Sequence, residues 1–192
     1  MPQPAHIVKI ALPNHNDLDP DIQKYLSICV DKLGMAPNVL TAYTGSPQKF
    51  RNFSQFYNQL MLDEETTTLS PLDREMIAVV VSAANRCYYC LVAHGQAVRA
   101  LSGDTQLGEM MVMNYRVAEL PARQRVMLDF AWKLTTTPFD IGDPDRATLR
   151  EAGFSDGDIF DITDVVAFFN YTNRMAHSLN MMPNAEYHAM NR

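Results

Sequence analysis

Residues 70–101 constrain the chain more than any other stretch. Ser70 is a helix cap, Pro71 suits a first helical position because its missing N–H is not needed there, and Asp73 completes a variant of the capping box. From Met76 to Ala84 the residues are almost continuously apolar, so periodicity picks out no solvent face. A helix apolar on every side belongs in a core or a tight subunit interface. Yet Glu75 stands at its head, and Cys87, Cys90 and His94 follow within two turns. Groups that move protons or electrons, set on the least polar part of a chain, mark a candidate functional site.

The remainder reads as helices separated by proline and glycine. Residues 1–16 form an expected extended arm, with prolines at 2, 4 and 13 preventing a helix. Asp19 and Pro20 open a helix ended by Gly34, and Pro37 opens a short one to about Thr44. A helix from Pro47 carries Phe50, Phe53, Phe56, Tyr57, Leu60 and Met61 at helical spacing. After the break at Gly103 come a Met-rich helix over 104–118 and a helix opened by Pro121. Asp143 and Pro144 cap a short helix ending at Gly153, and Ser155 with Asp158 caps a long last one through Met175. No convincing period-2 strand appears, so the expected fold is all-α. Asn85 and Arg86 after Ile77–Val81 echo Asn173 and Arg174 after Val165–Phe169, a short degenerate match between the two most apolar helices.

Composition narrows the function classes. The 192 residues suit one domain spanning 1–192, 47% of them hydrophobic and 20% charged. A net charge of −6 without a Lys/Arg stripe argues against a nucleic-acid partner. No apolar run reaches membrane-spanning length and no signal-peptide pattern opens the chain, so the cytoplasm is the expected location. Three cysteines with one close pair do not make a secreted disulfide framework, and in a reducing compartment such a pair is catalytic or metal-binding more often than structural. No Gly-rich phosphate loop is present, and no organic cofactor is expected.

At about 100° per residue, Cys87, Cys90 and His94 share one helix face, with His94 one turn past Cys90. Thiols of a Cys-x-x-Cys pair at a helix start commonly have lowered pKa values, aided by the helix dipole. Arg86 adds a cation beside Cys87, and Glu75 folds back over this face if the helices pack antiparallel. Rival readings of the same residues are a structural zinc site built from Cys87, Cys90, His94 and Glu75, and two cysteines that merely fill the core. Cys29, alone on its helix, reads as structural. The methionines of 104–118 read as core filler. His177 receives no role.

The pattern Glu-x11-Cys-x-x-Cys-x-x-x-His resembles the active-site signature of the alkylhydroperoxidase-D branch of the carboxymuconolactone decarboxylase superfamily. Gly-Met-Ala-Pro-Asn at 34–38, Leu-Ser-Pro-Leu-Asp-Arg-Glu at 69–75, the segment 121–131 and Val-Val-Ala-Phe-Phe-Asn-Tyr-Thr-Asn-Arg at 165–174 resemble its peroxidase-related subgroup. The resemblance covers about Leu33 to Asn180. It implies an AhpD-like helical bundle, a homo-oligomer (dimer or hexamer), and thiol-dependent reduction of hydroperoxides with an external dithiol or disulfide reductase as electron donor. Carried over, Glu75, Cys87, Cys90 and His94 are the catalytic set, and no resident metal is implied. One position departs: the branch has His directly before the second Cys, where this chain has Tyr89, a modulator of the relay rather than a neutral-pH proton shuttle. Contact with His94 favours Cys90 as the attacking sulfur, whereas the helix dipole favours Cys87. The non-enzymatic alternative is a redox sensor whose thiol pair switches without turnover. A decarboxylase, the superfamily's other activity, does not depend on such a pair.

Overall fold

Proline and glycine punctuate the chain in space as they do in sequence. The computed structural model describes residues 3–192, and Met1 and Pro2 of the expected arm lie outside the described residues. The helices are α1 (Pro20–Leu33), α2 (Asn38–Tyr43), α3 (Pro47–Tyr57), α4 (Pro71–Ala84) and α5 (Tyr88–Ser102). They continue as α6 (Thr105–Asn114), α7 (Ala122–Thr136), α8 (Asp143–Glu151) and α9 (Asp156–Ser178). Among the described residues there is no strand, so the fold is all-α. Pro20, Pro47, Pro71 and Pro144 occupy first-turn positions of their helices. Gly34 and Gly103 terminate α1 and α5 at φ values of 76° and 68°, left-handed geometry that favours glycine.

α4 is the centre of the molecule. Met76 through Val81 are each 0% exposed, as an all-round apolar helix requires. α5, α6, α7 and α9 pack around it, and the main core runs from Ile22 and Leu26 of α1 to Phe169 of α9. A smaller apolar cluster holds Val8, Ala42, Cys87, Tyr89, Cys90, Ala176 and Met181. The N-terminal segment is pinned beside it: the Lys9 N–H donates to the Leu179 carbonyl at 2.9 Å, and the Met182 N–H to the Ile7 carbonyl at 2.9 Å. No helix of the described residues is long and apolar enough to cross a membrane.

Several local expectations are corrected. Ser70 caps α4 by accepting the Asp73 N–H, but the Asp73 carboxylate turns away to α7 and accepts from Gln124 Nε2 at 2.8 Å. Tertiary anchoring therefore replaces the reciprocal half of the capping box. Leu60 and Met61 lie in a π-helical turn, Asn58–Leu62, instead of continuing α3. The buried Arg74 donates from Nη1 to the carbonyls of Leu60 and Asp63, at 3.3 and 2.6 Å, and so holds that wider turn. α6 ends at Asn114, whose side chain accepts the Arg116 N–H and starts a 3₁₀ turn at Tyr115–Val117. The expected arm includes a 3₁₀ turn at His15–Asp17, and a further 3₁₀ turn at Ala185–His188 had no signal.

Candidate active site

The turn between α4 and α5 builds the site. Asn85 ends α4, Arg86 takes a left-handed φ of 54°, and Cys87 becomes the N-cap of α5. This reversal lays α5 back along α4, so residues far apart on the two helices come together. His94 Nδ1 donates to Glu75 Oε2 at 2.6 Å, with side-chain exposures of only 12% and 10%. The carboxylate fixes the ring orientation and leaves Nε2 as the nitrogen available to a reacting group. Phe169 of α9 meets the imidazole edge-on with ring centroids 4.6 Å apart.

Both cysteines are almost fully buried, Cys87 at 1% exposure and Cys90 at 3%, and both are free thiols. The Cys90 thiol donates to Cys87 and, as the largest cause, pulls the Cys87 pKa down to about 7; the Cys90 backbone N–H and the fields of His177 and His94 act in the same direction. Cys90 is pushed well above the ordinary thiol range, first by that hydrogen bond and then by burial. Side chains of Asn173 and Ser82 oppose this rise. Asn173 Nδ2 donates to Ser82 Oγ at 3.1 Å and Asn85 Nδ2 donates to Asn173 Oδ1 at 2.9 Å, a buried polar chain leading to Cys90.

The two sulfurs face different spaces. Cys90 and His94 line a cavity of about 30 Å³ walled by Tyr43, Phe53, Phe168 and Phe169 among others. That volume holds about two water-sized atoms. Cys87 lines a separate cleft of about 100 Å³ with Arg86, His177 and Asn180. Tyr89, Ala176 and Met181 border both. The Tyr89 hydroxyl accepts the Val39 N–H at 2.9 Å, and burial pushes its pKa well above the usual tyrosine value. Tyr89 is thus a wall fixed to α2, held in its neutral form.

Of the residues singled out in sequence, Glu75 joins His94, Cys87 joins Cys90, and Tyr89 stands between the two spaces. Glu75 and His94 turn their facing atoms on each other, and among the described residues no three His, Cys, Asp or Glu side chains converge as metal ligands. Ser82, Asn173 and His177 were missed. The faint echo of Asn85–Arg86 at Asn173–Arg174 was the one signal for Asn173, and in space the two asparagines bond directly.

An all-helical scaffold carrying a Cys-x-x-Cys pair beside a Glu–His couple defines a class of dithiol proteins. The carboxymuconolactone decarboxylase family model matches residues 47–127, a span that contains the whole Glu75–His94 segment. A peroxidase-related protein from Silicibacter sp. TM1040 is 57% identical over 100% of both chains, with a TM-score of 0.95. An alkylhydroperoxidase AhpD core, a peroxidase-related protein from Ralstonia eutropha JMP134, is 39% identical over 98% of both chains, with a TM-score of 0.93. The debrominase Bmp8, in complex with 2,3,4-tribromopyrrole, shares the fold at 15% identity and a TM-score of 0.78, over 95% of this chain and 94% of its own. No curated protein matches the chain. The chain belongs to the AhpD-like, peroxidase-related subgroup of the carboxymuconolactone decarboxylase superfamily.

Proposed function

We propose that the protein is a thiol-dependent peroxidase that reduces hydroperoxides through a Cys87–Cys90 disulfide cycle. The observation that carries this reading is the Glu75–His94 pair at 2.6 Å, buried beside a reduced Cys-x-x-Cys whose second sulfur opens on a small apolar cavity. The cavity has room for the two oxygens of a peroxide group, and its wall is mostly apolar. His94 takes the Cys90 proton through Nε2, and Glu75 stabilises the imidazolium. The Cys90 thiolate attacks the near oxygen, the O–O bond breaks, and the leaving alkoxide takes the proton back from His94. Cys90 is then a sulfenic acid and the product an alcohol. Cys87 attacks the Cys90 sulfur, its thiol proton passes to the departing hydroxyl so that water leaves, and a disulfide remains for an external dithiol to reduce.

Turnover of cumene hydroperoxide with excess dithiothreitol tests the reading: sustained alcohol formation is expected, abolished in Cys90→Ser. A second reading, a redox sensor, is favoured by the near-complete burial of both sulfurs. Oxidation that stops after one equivalent of peroxide would select it. The lowered pKa of Cys87 supports the opposite order of attack, and a sulfenic-acid probe decides. If Cys90→Ser still forms sulfenate and Cys87→Ser does not, the roles are exchanged.

The proposal includes a homo-oligomer. Met113, Phe139 and Phe160 are 81%, 82% and 70% exposed, apolar area that a partner subunit would cover. Sedimentation equilibrium giving the monomer mass would remove that part.

A further inference from the structure

A second imidazole stands at the other sulfur. His177 lies in the last turn of α9, and its Nε2 donates to the Asn85 carbonyl at 2.9 Å, on the turn that delivers Cys87. The ring lines the same cleft as Cys87 and Arg86, on the far side of Tyr89 from the Glu75–His94 pair. With Nε2 bonded to a carbonyl, the neutral ring keeps Nδ1 as an acceptor, and the cation gains a second N–H there. His177 is exposed and anchored to Asn85.

Resting on the thiol-peroxidase reading, we propose that His177 is the positioning residue of Cys87. As an imidazolium it holds this sulfur in the thiolate form, the form in which Cys87 leaves when an external dithiol restores the reduced pair. In that step a donor thiolate bonds to the Cys87 sulfur, the Cys87–Cys90 bond breaks, and Cys90 departs with the electron pair and takes up, through His94, the proton that the donor thiol released to solvent on ionising. The donor's second thiolate then attacks the donor sulfur of the mixed disulfide. Cys87 leaves as a thiolate beside His177, and the donor, oxidised by two electrons, departs as its own disulfide. The cleft that carries Arg86 and His177 thus serves the donor, and the mostly apolar cavity serves the peroxide.

The lowering of the Cys87 pKa by His177, ahead of His94, accords with this geometry. The other groups around Cys87 are Cys90 and His94 on α5, Arg86 on the turn, and the phenols of Tyr88 and Tyr89. On the N-terminal segment, His6 Nε2 bonds to the Asn180 carbonyl at 3.1 Å, at the rim of the same cleft.

The test uses the reduced protein without peroxide, so its failure is distinct from failure of the peroxidase reading. Cys87 ionisation is followed by ultraviolet thiolate absorbance and by iodoacetamide alkylation rate against pH, at low salt. His177→Gln keeps an N–H donor for Asn85 and removes the charge. Its ionisation midpoint is expected to rise by about one unit, with the gap to the parent protein narrowing as salt screens the exposed imidazolium. Release of Cys87 from its mixed disulfide with the donor is expected to slow about threefold for that one-unit rise. An unchanged midpoint overturns the proposal. So does a midpoint that moves in His177→Ala but returns in His177→Gln, since the ring is then only a brace for the turn. A shift in Arg86→Gln with none in His177→Gln overturns it too, assigning the field to Arg86.

Discussion

Glu75 and Ser82 are two polar residues on one helix whose other buried positions are mostly apolar, and each faces one part of the site. Glu75 holds His94 by a charge-assisted bond, which fixes the ring. Glu75→Gln keeps a carbonyl acceptor at that place but removes the charge. The rate of peroxide oxidation of the thiols, followed in a single turnover, is therefore expected to fall by about 10²-fold, the lower end for a general acid–base group. A loss of under about threefold would take Glu75 out of the relay. Glu75, Cys87, Cys90 and His94 were legible in sequence because they sit within one local stretch, where helical spacing alone predicts proximity. Ser82, Asn173 and His177 were not legible as site residues. Asn173 and His177 meet the sulfurs only through the packing of α9 on α4 and α5, and no spacing rule reports which faces of distant helices touch. Ser82 lies inside the legible stretch but is a lone hydroxyl among apolar residues and carries no signal of its own.

At the scale of elements, the starts and stops of helices were readable because proline and left-handed glycine act locally. The π turn and the early end of α6 were not, because they answer to Arg74 and Asn114 side chains finding backbone partners. α5 and α6 approach closely enough that a Cβ on Gly108 would collide with the Arg99 side chain and lie 3.2 Å from the Gly95 carbonyl oxygen. Arg99 cannot swing away freely, since its Nη2 donates to the carbonyls of Tyr187 and Met190, both at 3.1 Å. Alanine favours an isolated helix over glycine by about 1 kcal/mol, yet overpacking typically costs about 1–3 kcal/mol. Gly108→Ala is therefore expected to lower stability in urea unfolding, and a gain would refute the close packing. The N-terminal segment offers a second test. Val8 shares an apolar cluster with Cys87, and the segment is tied by backbone bonds to residues 179 and 182. Deleting residues 1–9 is expected to speed iodoacetamide alkylation of Cys87 by about tenfold, one decade in rate corresponding to about 1.4 kcal/mol of opening. An unchanged rate would mean that the cover over this sulfur comes from α9 and α2.

For the molecule as a whole, the thiol pair couples redox state to stability through pH. Cys87 titrates near 7 in the folded protein against an ordinary value of 9.0, chiefly because the Cys90 thiol donates to it. Between those two values the unfolded chain binds more protons at Cys87 than the native one, so stability rises with pH. The contribution is fully present above the unfolded value and is lost as pH falls through about 7. Cys90 acts with the opposite sign. Its folded pKa lies well above 9.0, so beyond that point the native state keeps a proton the unfolded chain has lost, and stability falls as pH rises. The urea midpoint of the reduced protein, measured relative to Cys87→Ser/Cys90→Ser, is therefore expected to climb from about pH 7 to 9 and to decline above it. Oxidation to the disulfide removes both titrations, so this pH-dependent difference should vanish in the oxidised protein. A reduced-state difference that stays flat over the same window would show that the two sulfurs ionise independently, and with that the hydrogen bond on which their division of labour depends would have to be given up.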